Sequence, residues 1–109
     1  MTIKRITAIV PVQLLKPLEK HFRACGVPGV TVEHVKGYGE HPNFFRRDLM
    51  QANVRIVLYA EADDVETIVA AVIDCATEVG TEAGILAVES IERLVHLPSG
   101  TDTSVSPGS

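Results

Sequence analysis

The sequence predicts an α+β fold of the ferredoxin-like class, a βαββαβ sandwich with an antiparallel four-stranded sheet on one side and two helices on the other. Two observations carry this expectation. Four short runs are rich in β-branched residues, and two stretches place apolar residues every three or four positions. They alternate in that order within 109 residues, a length that supports one domain with a modest core.

The first strand is Ile6 to Val10, closed by Pro11, which has no N–H to give to a ladder. Leu14, Leu15, Leu18, Phe22 and Cys25 then share one helix face, with Pro17 in the first turn and Gly26 as terminator. Gly29 to Lys36 alternates as a second strand, with Val30, Val32 and His34 on one face and Thr31, Glu33 and Val35 on the other. Gly37 and Gly39 end it, because side-chain-free positions weaken a strand and let a ligand or another backbone approach. They open an expected loop from Glu40 to Asn53 that contains Phe44, Phe45, Arg46 and Arg47. Val54 to Tyr59 is the third strand, and Val65, Ile68, Val69, Val72, Ile73 and Ala76 form the second helical face. Asp63 and Glu66 have the spacing of a capping box before that helix. Gly80 and Gly84 bracket a turn, and Ile85 to Val88 starts a fourth strand expected to continue irregularly to Leu97. Residues 1–97 are thus the expected domain, and residues 98–109, made of Ser, Thr, Gly and Pro with little else, the expected flexible tail.

In this arrangement Arg55, Val57 and Tyr59 fall on the sheet face away from the helices. Apolar area there stays in water unless a second copy covers it, and self-association into a closed ring is a natural solution.

Composition narrows the function. A formal net charge of −4 argues against a nucleic-acid partner, which needs many Lys and Arg contacts to phosphate. No apolar run reaches membrane-spanning length and no leader-like segment precedes the first strand, so a cytoplasmic protein without membrane insertion is expected. Cys25 and Cys75 sit in apolar helical patterns without disulfide or zinc spacing and read as reduced core thiols. His21, His34 and His41 lack the close spacing of a metal motif. Glu89 and Glu92 read as solvent-facing strand residues. There is no nucleophile with an identifiable base, no P-loop and no dinucleotide fingerprint, so neither catalysis nor a cofactor is expected.

The segment Gly29-Val30-Thr31-Val32-Glu33-His34-Val35-Lys36-Gly37-Tyr38-Gly39 resembles the one that leads into the T-loop of the PII signal-transduction proteins, G-x-T-V-x-x-V-K-G-F/Y-G. The helix end Cys25-Gly26-Val27, the helix start Ala62-Asp63-Asp64-Val65 and the element order agree, so the resemblance spans residues 3–97. It implies a homotrimer with adenine nucleotides in clefts between subunits, and a loop that docks on transporters or metabolic enzymes. By position, Thr31 corresponds to the residue beside the adenine, and Gly37, Tyr38 and Gly39 to the backbone that wraps the nucleotide. Glu40, His41, Tyr59, Gly84, Ile85 and His96 complete the implied site.

The phosphate end departs from the family pattern. PII proteins have a glutamine after the second glycine, a lysine after a glycine-rich turn and two arginines on the last strand; here His41, Ile85, His96 and Pro98 stand in those places. Each charge-assisted contact to phosphate contributes at most a few kcal/mol, so several losses together lower affinity for ATP by orders of magnitude. ADP or AMP is therefore the expected ligand, and 2-oxoglutarate sensing is not expected. The loop lacks a tyrosine to accept a nucleotidyl group, and Arg46 and Arg47, beside Phe44 and Phe45, offer guanidinium groups to a phosphate, to a small anion such as bicarbonate, or to a partner. The resemblance is to divergent PII-like proteins with shortened loops, among them carboxysome- and bicarbonate-transport-associated members. Two other readings use the same architecture: a trimeric divalent-cation tolerance protein, and a small-molecule-binding regulatory domain on this superfold.

Overall fold

The computed structural model describes residues 2–37, 51–80 and 84–103. Four strands, β1 (Ile3–Pro11), β2 (Thr31–Gly37), β3 (Gln51–Glu61) and β4 (Ile85–Ser90), form one antiparallel sheet in the order β2-β3-β1-β4. Two helices, α1 (Leu15–Ala24) and α2 (Val65–Val79), follow β1 and β3, each entered through a single 3-10 turn, Val12–Leu14 and Ala62–Asp64. This is the expected ferredoxin-like βαββαβ order.

Alternation along the central strands separates the two sheet faces. Ile6, Ala8 and Val10 of β1 and Val54, Ile56 and Leu58 of β3 are buried together with Leu14, Leu18, Phe22, Val65, Ile68, Val72 and Cys75 from the helical layer. Period two in the strands meets period 3.6 in the helices at one apolar layer. Burying each large side chain contributes about 1.5–3 kcal/mol, so this layer is the main favourable term in folding.

The end of α1 shows why Gly26 follows it. Gly26 adopts φ +81°, its N–H bonds to the Arg23 carbonyl at 3.1 Å, and the Val27 N–H reaches back to the Phe22 carbonyl at 2.9 Å. This is the Schellman arrangement, and its two apolar members, Phe22 and Val27, both join the core cluster.

β1 begins at Ile3 and includes Pro11, β2 spans Thr31–Gly37 and β3 reaches Glu61, each shifted by a few residues from the sequence expectation, and three further differences have a clear cause. The Asp63–Glu66 capping box does not form: Asp63 lies in the 3-10 turn, and Asp64, at the N-cap, makes no side-chain cap bond. The chain leaves β3 directly into that turn, so backbone bonds satisfy the donors instead, Val65 N–H to the Ala62 carbonyl and Ala62 N–H to the Thr2 carbonyl at 2.8 Å. Next, residues 51–53, expected in the loop, belong to β3, where Val35↔Asn53, Lys36↔Ala52 and Gly37↔Gln51 continue the hairpin. Ladder bonds are made by backbone, so pairing outlasts the apolar alternation that marks a strand in sequence.

Finally, β4 ends at Ser90, and the chain then folds into a small hairpin closed by a bridge between Val95 and Asp102. The His96 N–H donates to the Thr101 carbonyl at 2.8 Å, the Gly100 N–H to the His96 carbonyl at 2.7 Å, and the Thr103 N–H to the Leu94 carbonyl at 3.0 Å. Arg93 Nε meets Asp102 Oδ2 at 2.9 Å across the same hairpin. The boundary expected at residue 98 falls inside this hairpin, whose polar composition reads as tail because its bonds are local and need no core.

Candidate functional site

The open sheet face is built in cross-strand rows. Thr31, Val57, Thr7 and Ala87 form one row; Glu33, Arg55, Ile9 and Ile85 form the next; Tyr59, Arg5 and Glu89 form a third on the other side. Arg5 gives two bonds to Glu89 Oε1, from Nε at 3.1 Å and Nη2 at 2.7 Å, and Arg55 forks onto Glu33 Oε1 in the same way. Glu89, through its hydrogen bond and its charge, and Tyr59 more weakly, hold the Arg5 guanidinium above its ordinary pKa. The two ion pairs sit at diagonal corners of a depression floored by Ile9, Val57, Ile85 and Ala87. Neither pair was read from the sequence. The signal was there: Arg5 and Arg55 alternate in phase with Thr7, Ile9 and Val57, so each points to the open face beside a carboxylate on the adjoining strand.

Several implied ligand residues also map onto this face, but to separated places. Thr31 and Tyr59 are diagonal neighbours across β2 and β3, at the start of β2. Gly37 lies six residues further along β2, about 20 Å at strand rise, where the hairpin pairs it with Gln51. Ile85 lies on the opposite edge strand, in the row of Glu33 and so nearer along the sheet to Thr31 than to Gly37, about 14 Å across the sheet from β2, and Gly84 immediately precedes it. His96 is on the hairpin after β4, where Nε2 lies 3.4 Å from the Thr103 hydroxyl. A single subunit therefore does not gather Thr31, Tyr59, Gly37, Ile85 and His96 around one small ligand. Tyr38, Gly39, Glu40, His41, Phe44, Phe45, Arg46 and Arg47 lie outside the described residues.

Gly84 is the residue whose backbone the fold uses most directly. At φ +150° it lies where side chains are rarely accommodated, and a Cβ there would stand 3.2 Å from the Ile9 carbonyl oxygen and 3.3 Å from Val10 Cγ1. The chain thus enters β4 pressed against β1. Both cysteines are free thiols: Cys75 is buried, with its pKa raised by desolvation first and by Glu78 second, and Cys25 is half-buried at the end of α1. Among the described residues, no three His, Cys, Asp or Glu side chains gather as a metal site. None of the described helices is long and apolar enough to cross a membrane.

An antiparallel βαββαβ domain with one sheet face left uncovered by its helices defines a ferredoxin-like domain. Comparison with known families narrows this class: the model of the family described as Nitrogen regulatory protein P-II matches residues 3–97, and the chain belongs to that family of regulatory proteins. Among solved structures, the chain is similar to Arabidopsis thaliana PII, described as bound to citrate, with a TM-score of 0.76 and 22% identity over 93% of this chain and 85% of that one. A comparison with curated protein sequences gives no match.

Proposed function

We propose that the protein is a PII-type regulator that assembles as a homotrimer and binds an adenine nucleotide, ADP or AMP in preference to ATP, in the cleft between subunits. The observation that carries this reading is the family match over residues 3–97, and it is supported by the spread of Thr31, Gly37 and Ile85 over opposite edges of one sheet, too far apart for a single subunit to bring them to one ligand. Preference for fewer phosphates follows from Ile85, His96 and Pro98 at positions where the family carries cations. Arg46 and Arg47 supply the remaining positive charge, to phosphate or to an anion such as bicarbonate. Occupancy of the cleft biases the loop between Gly37 and β3, which passes the signal to a transporter or to an enzyme of carbon or nitrogen metabolism. The protein acts by binding and carries no catalysis of its own.

The test is a melting curve in the presence of ADP, AMP, ATP and cyclic AMP, each with and without bicarbonate. A ligand at a hundred times its Kd stabilises by about 2.7 kcal/mol, which raises the melting temperature by several degrees. If millimolar concentrations of all four leave the melting temperature unmoved in both conditions, the reading is wrong.

A further inference from the structure

We infer that the helical layer pairs with the helical layer of a second copy through opposite charges, α1 of each copy against α2 of the other. This surface is on the far side of the sheet from the open face. The contact is therefore separate from the nucleotide cleft proposed above and goes beyond that reading.

The two helices carry opposite charge on their outer sides. α1 exposes Lys16 and Lys20, α2 exposes Asp74 and Glu78, and no Lys, Arg or His occurs between residues 56 and 92. Among the described residues the ion pairs are Arg5–Glu89, Glu19–Arg23, Glu33–Arg55 and Arg93–Asp102, and none of those four helix residues joins one. A solvated helix commonly pairs its own charges four residues apart, as α1 does with Glu19 and Arg23. α2 has no cation with which to do so.

Spacing makes the two surfaces complementary. Lys16, Lys20 and Ala24 recur every four residues along α1, and Ala70, Asp74 and Glu78 recur every four along α2, all six exposed. Residues four apart share one helix face. Laid antiparallel, the two rows meet as Lys16 with Glu78, Lys20 with Asp74 and Ala24 with Ala70, which gives two ion pairs and one rung of small side chains where the axes can approach closely. Within one chain α1 and α2 are themselves antiparallel, because they follow the antiparallel strands β1 and β3, and the turn that opens α1 lies beside α2. A two-fold axis along the layer thus sets α1 on the other copy's α2 and, by the same operation, α2 on the other copy's α1. All three rungs then form twice in one isologous contact. Ile73, 58% exposed beside the acidic row, adds apolar area. The charges stay close to solvent, so pairing them costs little desolvation and ionic strength sets its strength.

The test is sedimentation at high protein concentration in a Val57→Lys background, where a charge on the open face removes contacts made there. That chain should dimerise in about 20 mM salt and dissociate in about 0.5 M. Lys16→Glu with Lys20→Glu, or Asp74→Lys with Glu78→Lys, should each weaken the dimer at least about tenfold while circular dichroism verifies the fold. An equal mixture of the two reversed chains should restore it, because both halves of the mixed contact again join opposite charges. In a Cys25→Ser background, an Ala24→Cys chain mixed with an Ala70→Cys chain should give a mixed cross-link with a short thiol-specific reagent. A monomer at low salt, reversals that leave the dimer intact, a mixture that does not recover it, or no mixed cross-link would each overturn the pairing and leave the nucleotide reading untouched.

Discussion

Replacing Gly84 by Ala should destabilise the protein far more than replacing Gly26 by Ala, although both glycines have positive φ. At Gly26, φ is +81° and nothing lies within 4 Å of an added Cβ. The cost there is the left-handed backbone alone, about 1–2 kcal/mol. At Gly84, φ is +150° and the Cβ meets the Ile9 carbonyl oxygen at 3.2 Å and Val10 Cγ1 at 3.3 Å. Ile9 cannot yield easily, since it is paired on one side with Arg55 and on the other with Ile85. Backbone strain of about 1–3 kcal/mol and overpacking of similar size bring Gly84→Ala to about 3 kcal/mol, roughly 2 kcal/mol beyond Gly26→Ala. Urea unfolding at one fixed protein concentration reads this directly, and the two variants should differ in midpoint by about 1 M. Coincident midpoints would show that β4 is not pressed against β1 as described.

Other outcomes follow from the same geometry. A disulfide-exchange reagent at pH 8 should modify Cys25 in the folded protein and reach Cys75 only on unfolding; rapid native labelling of both would contradict the burial of Cys75. Because burial raises the Cys75 pKa, the folded state holds its proton longer than the unfolded one. This contribution to stability is complete below the ordinary thiol value of 9.0 and is lost as pH rises from there through the higher folded value, so the urea midpoint should fall over that range, and less so in Cys75→Ala. In the monomeric Val57→Lys background, the Glu33–Arg55 pair, half-exposed in the single chain, should give a double-mutant coupling of about 0.2–1 kcal/mol that fades in 1 M salt; a salt-insensitive coupling there would mean the pair is shielded within one subunit.

Most of the fold was legible because periodicity reports burial. The buried positions Ile6, Ala8, Val10, Val54, Ile56 and Leu58 are those the alternation places together, and Phe22, Ile68 and Val72 follow helical spacing. What sequence hid was made by backbone and by local bonds. Residues 51–53 extend β3 through ladder pairing, and residues 94–103 form a hairpin through turn hydrogen bonds that a Ser- and Gly-rich composition conceals. At the candidate site, alternation put Tyr59 on the open face and separated Thr31 from Val30 and Val32 without saying which of those faces is open. The distance from Thr31 to Gly37 is set along one strand, but pattern alone could not show how far they lie from Ile85, because that depends on strand order, in which β2 and β4 are opposite edges.

That separation also defines the most direct test of a cleft shared between subunits. ADP can be titrated calorimetrically into the wild-type chain and into Val57→Lys, whose added charge stands in the middle of the open face and blocks self-association while circular dichroism verifies the fold. One ADP per subunit should bind the wild-type assembly, with no binding to the monomeric variant. A folded, monomeric Val57→Lys protein that binds ADP as tightly as wild type would place the ligand within a single subunit and contradict the shared cleft.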